Sequence, residues 1–213
     1  YGGGVQDAFL VKFNSSGERQ WGTYYGGASG DLGSCATDAS GNVYLVGNTQ
    51  SDSLIVTAGA HQTTYGGGPR DGFLAKFNSS GERQWGTYYG GVEYDASFSC
   101  ATDESGNIYL AGETESTTGI ATLGGHQNLY GDSTDAFLVK FNSSGERQWG
   151  TYYGGMRFDL AFSCGTDESG NAYLAGYTES TTEIATEGGH QTTNGGSSDV
   201  FLVKFDSSGE RQW

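Results

Sequence analysis

Phe13-Asn-Ser-Ser-Gly-Glu-Arg-Gln-Trp-Gly-Thr-Tyr-Tyr-Gly-Gly27 decides the fold, because these fifteen residues return letter for letter at Phe77 to Gly91 and at Phe141 to Gly155. Within them Gly-Glu-Arg-Gln-Trp ends at Trp21, Trp85, Trp149 and Trp213, a spacing of 64 residues each time. The chain is therefore a tandem array of one unit, and in such arrays each unit buries its surface against its neighbours.

A second block, Cys-Ala-Thr-Asp-x-Ser-Gly-Asn-x-Tyr-Leu, starts at Cys35 and Cys100 and returns at Cys164 with Gly165 in place of Ala. The interval between Cys35 and Cys100 is one residue longer than the repeat. We read this as a shorter loop after Tyr25, with a one-residue-longer stretch before Asp71 restoring the register. Length variation of this kind is tolerated in loops. The units are then 1–25 (partial), 26–89, 90–153 and 154–213, the last truncated in its final strand.

Four strands can be read per unit: Ser97 to Thr102, Asn107 to Ala111, Ala136 to Asn142 and Glu146 to Tyr153. The turns Asp103-Glu-Ser-Gly106 and Ser143-Ser-Gly145 join them in pairs, each ending in glycine as short hairpins do. The 38 glycines, 14% aromatic residues and single proline fit an all-β chain of aromatic-rich strands and tight turns. Phe9, Val11 and Phe13 alternate with Ala8 and Leu10, and Val43 and Leu45 alternate with Tyr44 and Val46, so both strand faces are apolar. A sheet apolar on both sides must be covered on both sides, which predicts four-stranded antiparallel blades packed between neighbours as in a β-propeller. A two-sheet sandwich would show a polar outer face.

Three ordered blocks, Asp-Ala-Phe-Leu-Val-Lys-Phe-Asn-Ser-Ser-Gly, Trp-Gly-Thr-Tyr-Tyr-Gly-Gly and Asp-x-Ser-Gly-Asn-x-Tyr-Leu-x-Gly-x-Thr, resemble the bacterial β-propeller repeats known as SBBP repeats. The resemblance covers essentially the whole chain. It implies a propeller-blade fold and an extracellular or cell-surface setting, since such repeats occur mainly in large secreted or surface proteins. An Asp-Phe-Pro-like element often lies between the second and third strands of that family; here Ser51-Asp-Ser-Leu54 and Glu115-Ser-Thr-Thr118 stand in its place.

Counting hairpins predicts an incomplete ring. The hairpin of third and fourth strands starts near Asp7, Asp71, Asp135 and Asp199, whereas that of first and second strands occurs three times. Known rings have about four to eight complete blades. The expectation is an array continued in a longer chain or by other copies, with an open array of stacked sheets as the alternative architecture. The hairpin Asp7 to Tyr25 is then an assembly edge, with Phe9, Phe13 and Trp21 needing cover.

The net charge of −15 repels phosphate backbones, so nucleic acid is excluded as a partner class. No apolar stretch reaches the ~20 residues of a transmembrane helix. Cys35, Cys100 and Cys164 occupy equivalent positions, pointing the same way, which predicts free, buried thiols. No Gly-x-Ser-x-Gly elbow, P-loop, Cys-x-x-Cys or His-Glu-x-x-His is present. Near-copies also multiply any site, whereas an active site is singular. We expect no enzyme and no cofactor.

Binding candidates lie in the long segment from Asn48 to Arg70 and its equivalents, which repeats His61-Gln62, His126-Gln127 and His190-Gln191. Loops on one rim of a repeat scaffold commonly form a binding face. No second ligand stands at zinc-like spacing beside these histidines, so no metal site is assigned to them. Asp103-Glu-Ser-Gly-Asn107 has glycine at position four rather than six and lacks the Glu of an EF-hand, leaving a hairpin turn. Glu18-Arg19 reads as a solvated cross-strand pair. The function expected is a non-catalytic extracellular or cell-surface scaffold for adhesion or for a self-assembled filament or layer. Its partners would be other copies or neighbouring repeats; the alternative is a multivalent lectin-like module binding glycans.

Overall fold

Each hairpin is closed by one side chain. Asn14 Oδ1 accepts the N–H groups of Ser16 and Glu18 at 3.0 and 2.9 Å, and Gly17 takes a φ of 79°, a left-handed conformation that favours glycine. Asp38 Oδ1 likewise accepts from Ser40 and Asn42 at 3.0 and 2.9 Å. In the next unit Asp103 Oδ1 accepts the Asn107 N–H, and its Oδ2 accepts from Asn107 Nδ2 and the Tyr109 hydroxyl. The Asp103 run is thus a hairpin turn whose carboxylate is engaged locally. Glu82 and Arg83 do not pair with each other: Asn78 Nδ2 donates to Glu82 at 2.7 Å, and Arg83 donates to the Leu54 carbonyl at 2.9 Å.

The computed structural model describes residues 3–213, and these turns organise them into thirteen strands in four antiparallel sheets, without a helix. The first sheet pairs β1 (Ala8–Phe13) with β2 (Arg19–Tyr25). The second is the meander β3 (Asp31–Thr37), β4 (Val43–Thr49), β5 (Asp71–Phe77) and β6 (Arg83–Tyr89). The third repeats it with β7 (Asp95–Thr102), β8 (Ile108–Thr114), β9 (Asp135–Phe141) and β10 (Arg147–Tyr153). The fourth holds β11 (Asp159–Thr166), β12 (Ala172–Thr178) and β13 (Asp199–Phe205), followed by a single bridge between Phe205 and Arg211. The blade read from the sequence is the blade that forms, and the sheets make no closed barrel. Strands β7 and β8 run further than their apolar residues suggested, because Asp95, Thr114 and Asp135 continue the pairing.

Three apolar layers lie between the four sheets, and strand alternation assigns each side chain to one of them. Val43 and Leu45 join Ala8, Leu10 and Tyr25 from the first sheet, together with Phe73, Phe77 and Tyr88. Tyr44 and Val46, on the other face of β4, join Tyr89, Ile108, Leu110, Phe137 and Phe141. Tyr109, Leu138 and Trp149 pack on Leu174, Phe201, Val203 and Phe205. Burying each such side chain contributes roughly 1.5–3 kcal/mol. Every residue of β8 and β9 is buried, as expected for a sheet covered on both sides.

The first strands of successive sheets lie side by side. Thr102 Oγ1 donates to the Thr37 carbonyl at 3.0 Å and Thr166 Oγ1 to the Thr102 carbonyl at 2.8 Å. Here the register reading needs correction. The connections Tyr25 to Asp31, Tyr89 to Asp95 and Tyr153 to Asp159 are equally long. The extra residue is a β-bulge within the strand, between Ser97 and Ser99 in β7 and between Ala161 and Ser163 in β11. It inserts Phe98 and Phe162, whose rings lie 6.5 Å apart, where β3 has no counterpart. Bulges re-aim a side chain without breaking the sheet. All three cysteines are free, but none is fully buried: Cys100 and Cys164 are partly buried, and Cys35 is exposed, because only the β1–β2 hairpin precedes its sheet.

Candidate functional site at the blade seams

The long segment after β4 turns back over the edge of the same sheet. Thr57 N–H donates to the Gly86 carbonyl at 3.0 Å, Gln62 N–H to Thr87 Oγ1 at 2.8 Å, and Tyr88 N–H to the Gln62 carbonyl at 3.2 Å. The segment so covers β6, whose unpaired backbone would otherwise be an exposed edge. Its buried Ile55 carbonyl accepts the Tyr25 hydroxyl from the preceding sheet at 2.5 Å, and in the equivalent segment after β8 the buried Ile120 carbonyl accepts that of Tyr89 at 2.8 Å.

This lays the His61 and His126 rings over the seams, solvent-exposed but each against aromatic rings of two sheets. The His61 ring lies 5.6 Å from the Phe141 ring and 6.2 Å from that of Tyr89, while His126 is 5.8 Å from Phe205 and 6.2 Å from Tyr153. Burial, with the nearby Arg147 charge, lowers the His61 pKa to about 4, and burial with Arg211 lowers that of His126. Both rings are therefore neutral at pH 7. Gln62 Oε1 accepts the Gly90 N–H at 3.1 Å while its Nε2 donates to the Thr64 carbonyl and reaches Asp71. Gln127 repeats this with Gly154, Leu129 and Asp135. Each pair serves its own seam, and the structure does not bring the pairs together. His190 and Gln191 border a cleft of about 750 Å³ with Ile184, Asp199, Phe201 and Trp213.

The rim beside these glutamines carries rows of carboxylates that sequence reading passed over. Asp31, Thr49 and Asp71 stand opposite one another across β3, β4 and β5, as do Asp95, Thr114 and Asp135 in the next sheet. All four aspartates are fully buried. Asp95 is well satisfied: it accepts from Thr114 Oγ1, from Ser116 Oγ at 2.8 Å and from the Gly91 N–H at 2.8 Å. Asp71 and Asp135 are less so, since each engages only its Oδ2, with Gly66 and Gln62 or with Gly131 and Gln127. Burial, supplemented by the Asp95 charge, raises the Asp71 pKa to about 7; burial and Asp159 do the same for Asp135. Asp95, offset by its hydrogen bonds, rises to about 6 through burial. The sequence signal was available, because from β3 onward an aspartate opens every first and third strand of a blade.

At the opposite end of the strands, polar staples cross each seam. Lys12 Nζ and Trp21 Nε1 both donate to the Ser79 carbonyl, at 3.0 and 3.1 Å, and Lys76 with Trp85 and Lys140 with Trp149 treat Ser143 and Ser207 in the same way. The turn glycine packs flat on the indole: a methyl group on Gly81 would lie 2.8 Å from the Trp21 ring. Trp21 therefore faces inward, into the seam with Leu10, and does not form one exposed surface with Phe9 and Phe13. Phe9 and Phe13 do remain exposed, at 69% and 55%, beside Tyr24. The opposite outer sheet exposes Val200 and Leu202.

Residues 84–119 match the SBBP beta-propeller repeat, a stretch that runs from β6 through β8 and so spans one seam. This match supports the resemblance of the repeated unit to SBBP propeller repeats, and the recurrence of that unit along the chain makes it a repeat scaffold. The regulatory protein FlaEY of Caulobacter vibrioides is 25% identical over 181 residues, which cover 83% of this chain and 18% of that protein. The chain thus spans less than a fifth of the length of that relative.

Proposed function

We propose that this chain is a non-catalytic scaffold whose blades stack on further blades of the same kind, building a filament, layer or adhesive surface outside the cell. The observation that carries this reading is the pairing of its two outer faces. Phe9, Phe13 and Tyr24 are exposed on one, whereas their equivalents Phe73, Phe77 and Tyr88 are buried against a preceding sheet. Val200 and Leu202 are exposed on the other, whereas their equivalents Ala136 and Leu138 are buried against a following one. Each outer face thus has, inside the same molecule, a template for what covers it. Contacts that repeat head to tail make rings where the rotation closes and fibres where it does not. The repeat fold and the distribution of polar groups support a binding rather than a catalytic role, since the buried carboxylates are divided among seams and the exposed histidines stand apart from one another.

Light scattering and electron microscopy of the 213-residue chain test this. Association that grows with concentration and is lost in Phe9→Glu and in Leu202→Glu supports it. A monomer that persists at high concentration overturns it.

A further inference from the structure

We propose that each of the last two seams binds a calcium ion, held between Asp71 and Asp95 in one seam and between Asp135 and Asp159 in the next. The proposal is independent of the assembly reading and rests on geometry within the chain. At Gly90 the two carboxylates of the first pair converge: a methyl group there would lie 2.7 Å from Asp95 Oδ2 and 3.1 Å from Asp71 Oδ1. At Gly154 the corresponding distances are 2.5 Å to Asp135 Oδ1 and 2.9 Å to Asp159 Oδ2. Both glycines thus mark a narrow gap with a carboxylate on each side, one from the third strand of a blade and one from the first strand of the next.

Three observations separate this from a mere acidic cluster. Asp71 and Asp135 are fully buried, yet their Oδ1 atoms, the ones turned towards the gap, have no hydrogen-bond partner. A buried carboxylate oxygen without a partner costs free energy that the fold must recover. No lysine or arginine supplies the missing charge: among the described residues the ion pairs are Lys140 with Asp103 and Lys204 with Asp167, at the far ends of the strands. Finally, the arrangement recurs with the same donors, Gln62 and Gln127 bracing Asp71 and Asp135 from behind.

The donor chemistry selects the ion. The atoms that converge on each gap are carboxylate oxygens, hard donors that suit calcium or magnesium and not zinc or copper. Calcium tolerates irregular geometry and completes its six to eight ligands with carbonyls and water, whereas magnesium demands a near-ideal octahedron. Bound there, it would turn the repulsion between two blades into an attraction.

The experiment uses the whole chain at pH 8, stripped with chelator and then titrated with calcium chloride. Calcium should raise the melting temperature by roughly 5–10 °C, and calorimetry should saturate at about two ions per chain. Terbium should luminesce on tyrosine excitation, because Tyr65 and Tyr88 lie beside one gap and Tyr130 and Tyr152 beside the other. The double variant Asp71→Asn, Asp135→Asn should lose both effects, while Asp38→Asn, in a remote turn, should keep them. A melting temperature indifferent to calcium at pH 8 overturns the proposal and leaves a shared proton as the occupant. A calcium response undiminished in the double variant overturns it equally. Titration of the unaltered chain decides the matter even if the variant fails to fold.

Discussion

The hairpins β1–β2 and β9–β10 are nearly the same sequence in two settings. From Phe13 to Gly27 and from Phe141 to Gly155 they agree in every letter, and both close with the same asparagine-capped turn and cross-strand register. Yet Phe9 is 69% exposed and its equivalent Phe137 is fully buried. The local sequence makes the hairpin; the neighbouring blade makes the core. Secondary structure here is a property of the unit, whereas stability belongs to the seam, as in other stacked repeats.

The sharpest test replaces the same residue in both hairpins. Phe137→Ala removes a buried ring from between two sheets and should cost about 3–5 kcal/mol, whereas Phe9→Ala in the monomer should cost less than ~0.5 kcal/mol. Urea unfolding followed by tryptophan fluorescence measures both. Equal costs would mean that the outer hairpin is covered after all, and the contrast between unit and seam would fail.

The pH dependence comes next in size, and the most strongly raised carboxylates lie in the inner seams. Asp71 and Asp135 have folded pKa values near 7 and Asp95 near 6, all above the unfolded value. Between about pH 4 and 7 the folded state therefore holds more protons than the unfolded state, so stability falls as pH rises. The neutral His61 and His126 act in the opposite sense, gaining stability as pH rises through the unfolded histidine value near 6.5. The aspartates outnumber them and should win. In chelator, the melting temperature should drop by roughly 5 °C from pH 5 to pH 7.5. A melting temperature that climbs over that range would show that these carboxylates ionise at their ordinary values.

How much of this was legible in the sequence follows from the same contrast. Features internal to a unit could be read: the turns from Asn14 and Asp38, the alternation of Val43 and Leu45 with Tyr44 and Val46, and the blade itself. Features between units could not. Asp71 and Asp95 are separated by a strand and a connection, and only the stacking of sheets brings both to Gly90. The His-Gln pairs drew attention by repetition, but repetition marks a shared structural duty as readily as a ligand, and Gln62 proves to brace Asp71. The additional residue before Cys100 was counted correctly but misplaced, since a count of residues does not separate a longer loop from the bulge at Phe98. Trp21 could have been placed by register, because it stands opposite Lys12 on the face away from Phe9 and Phe13.

Trp21 also supplies a case in which the contrast should vanish. Its indole donates to the Ser79 carbonyl as that of Trp149 donates to Ser207, so both tryptophans are engaged by a following turn. Trp21→Phe and Trp149→Phe each remove one hydrogen bond and leave a carbonyl to find another donor. Each should cost about 1 kcal/mol. A much smaller cost at Trp21 would show that the first seam is looser than the others.

The histidines give the smallest effect and the finest version of the comparison, because three copies meet different surroundings. His61 and His126 each rest against a phenylalanine of the next sheet, Phe141 and Phe205, and against a tyrosine of their own side, Tyr89 and Tyr153. His190 has no such ring beside it among the described residues and stands exposed at the mouth of the cleft next to β13. Truncating a solvent-exposed ring that still packs on two aromatic rings loses those contacts, so His61→Ala and His126→Ala should each cost about 0.5–1 kcal/mol. His190→Ala should change stability by less than ~0.3 kcal/mol. Nuclear magnetic resonance adds a second reading on the same molecules: the His61 ring should stay neutral down to about pH 4, and His126 should titrate below the ordinary histidine range. A rise in the His190 cost to match the other two at high protein concentration would place another blade over the cleft, since only a following sheet offers that ring a partner.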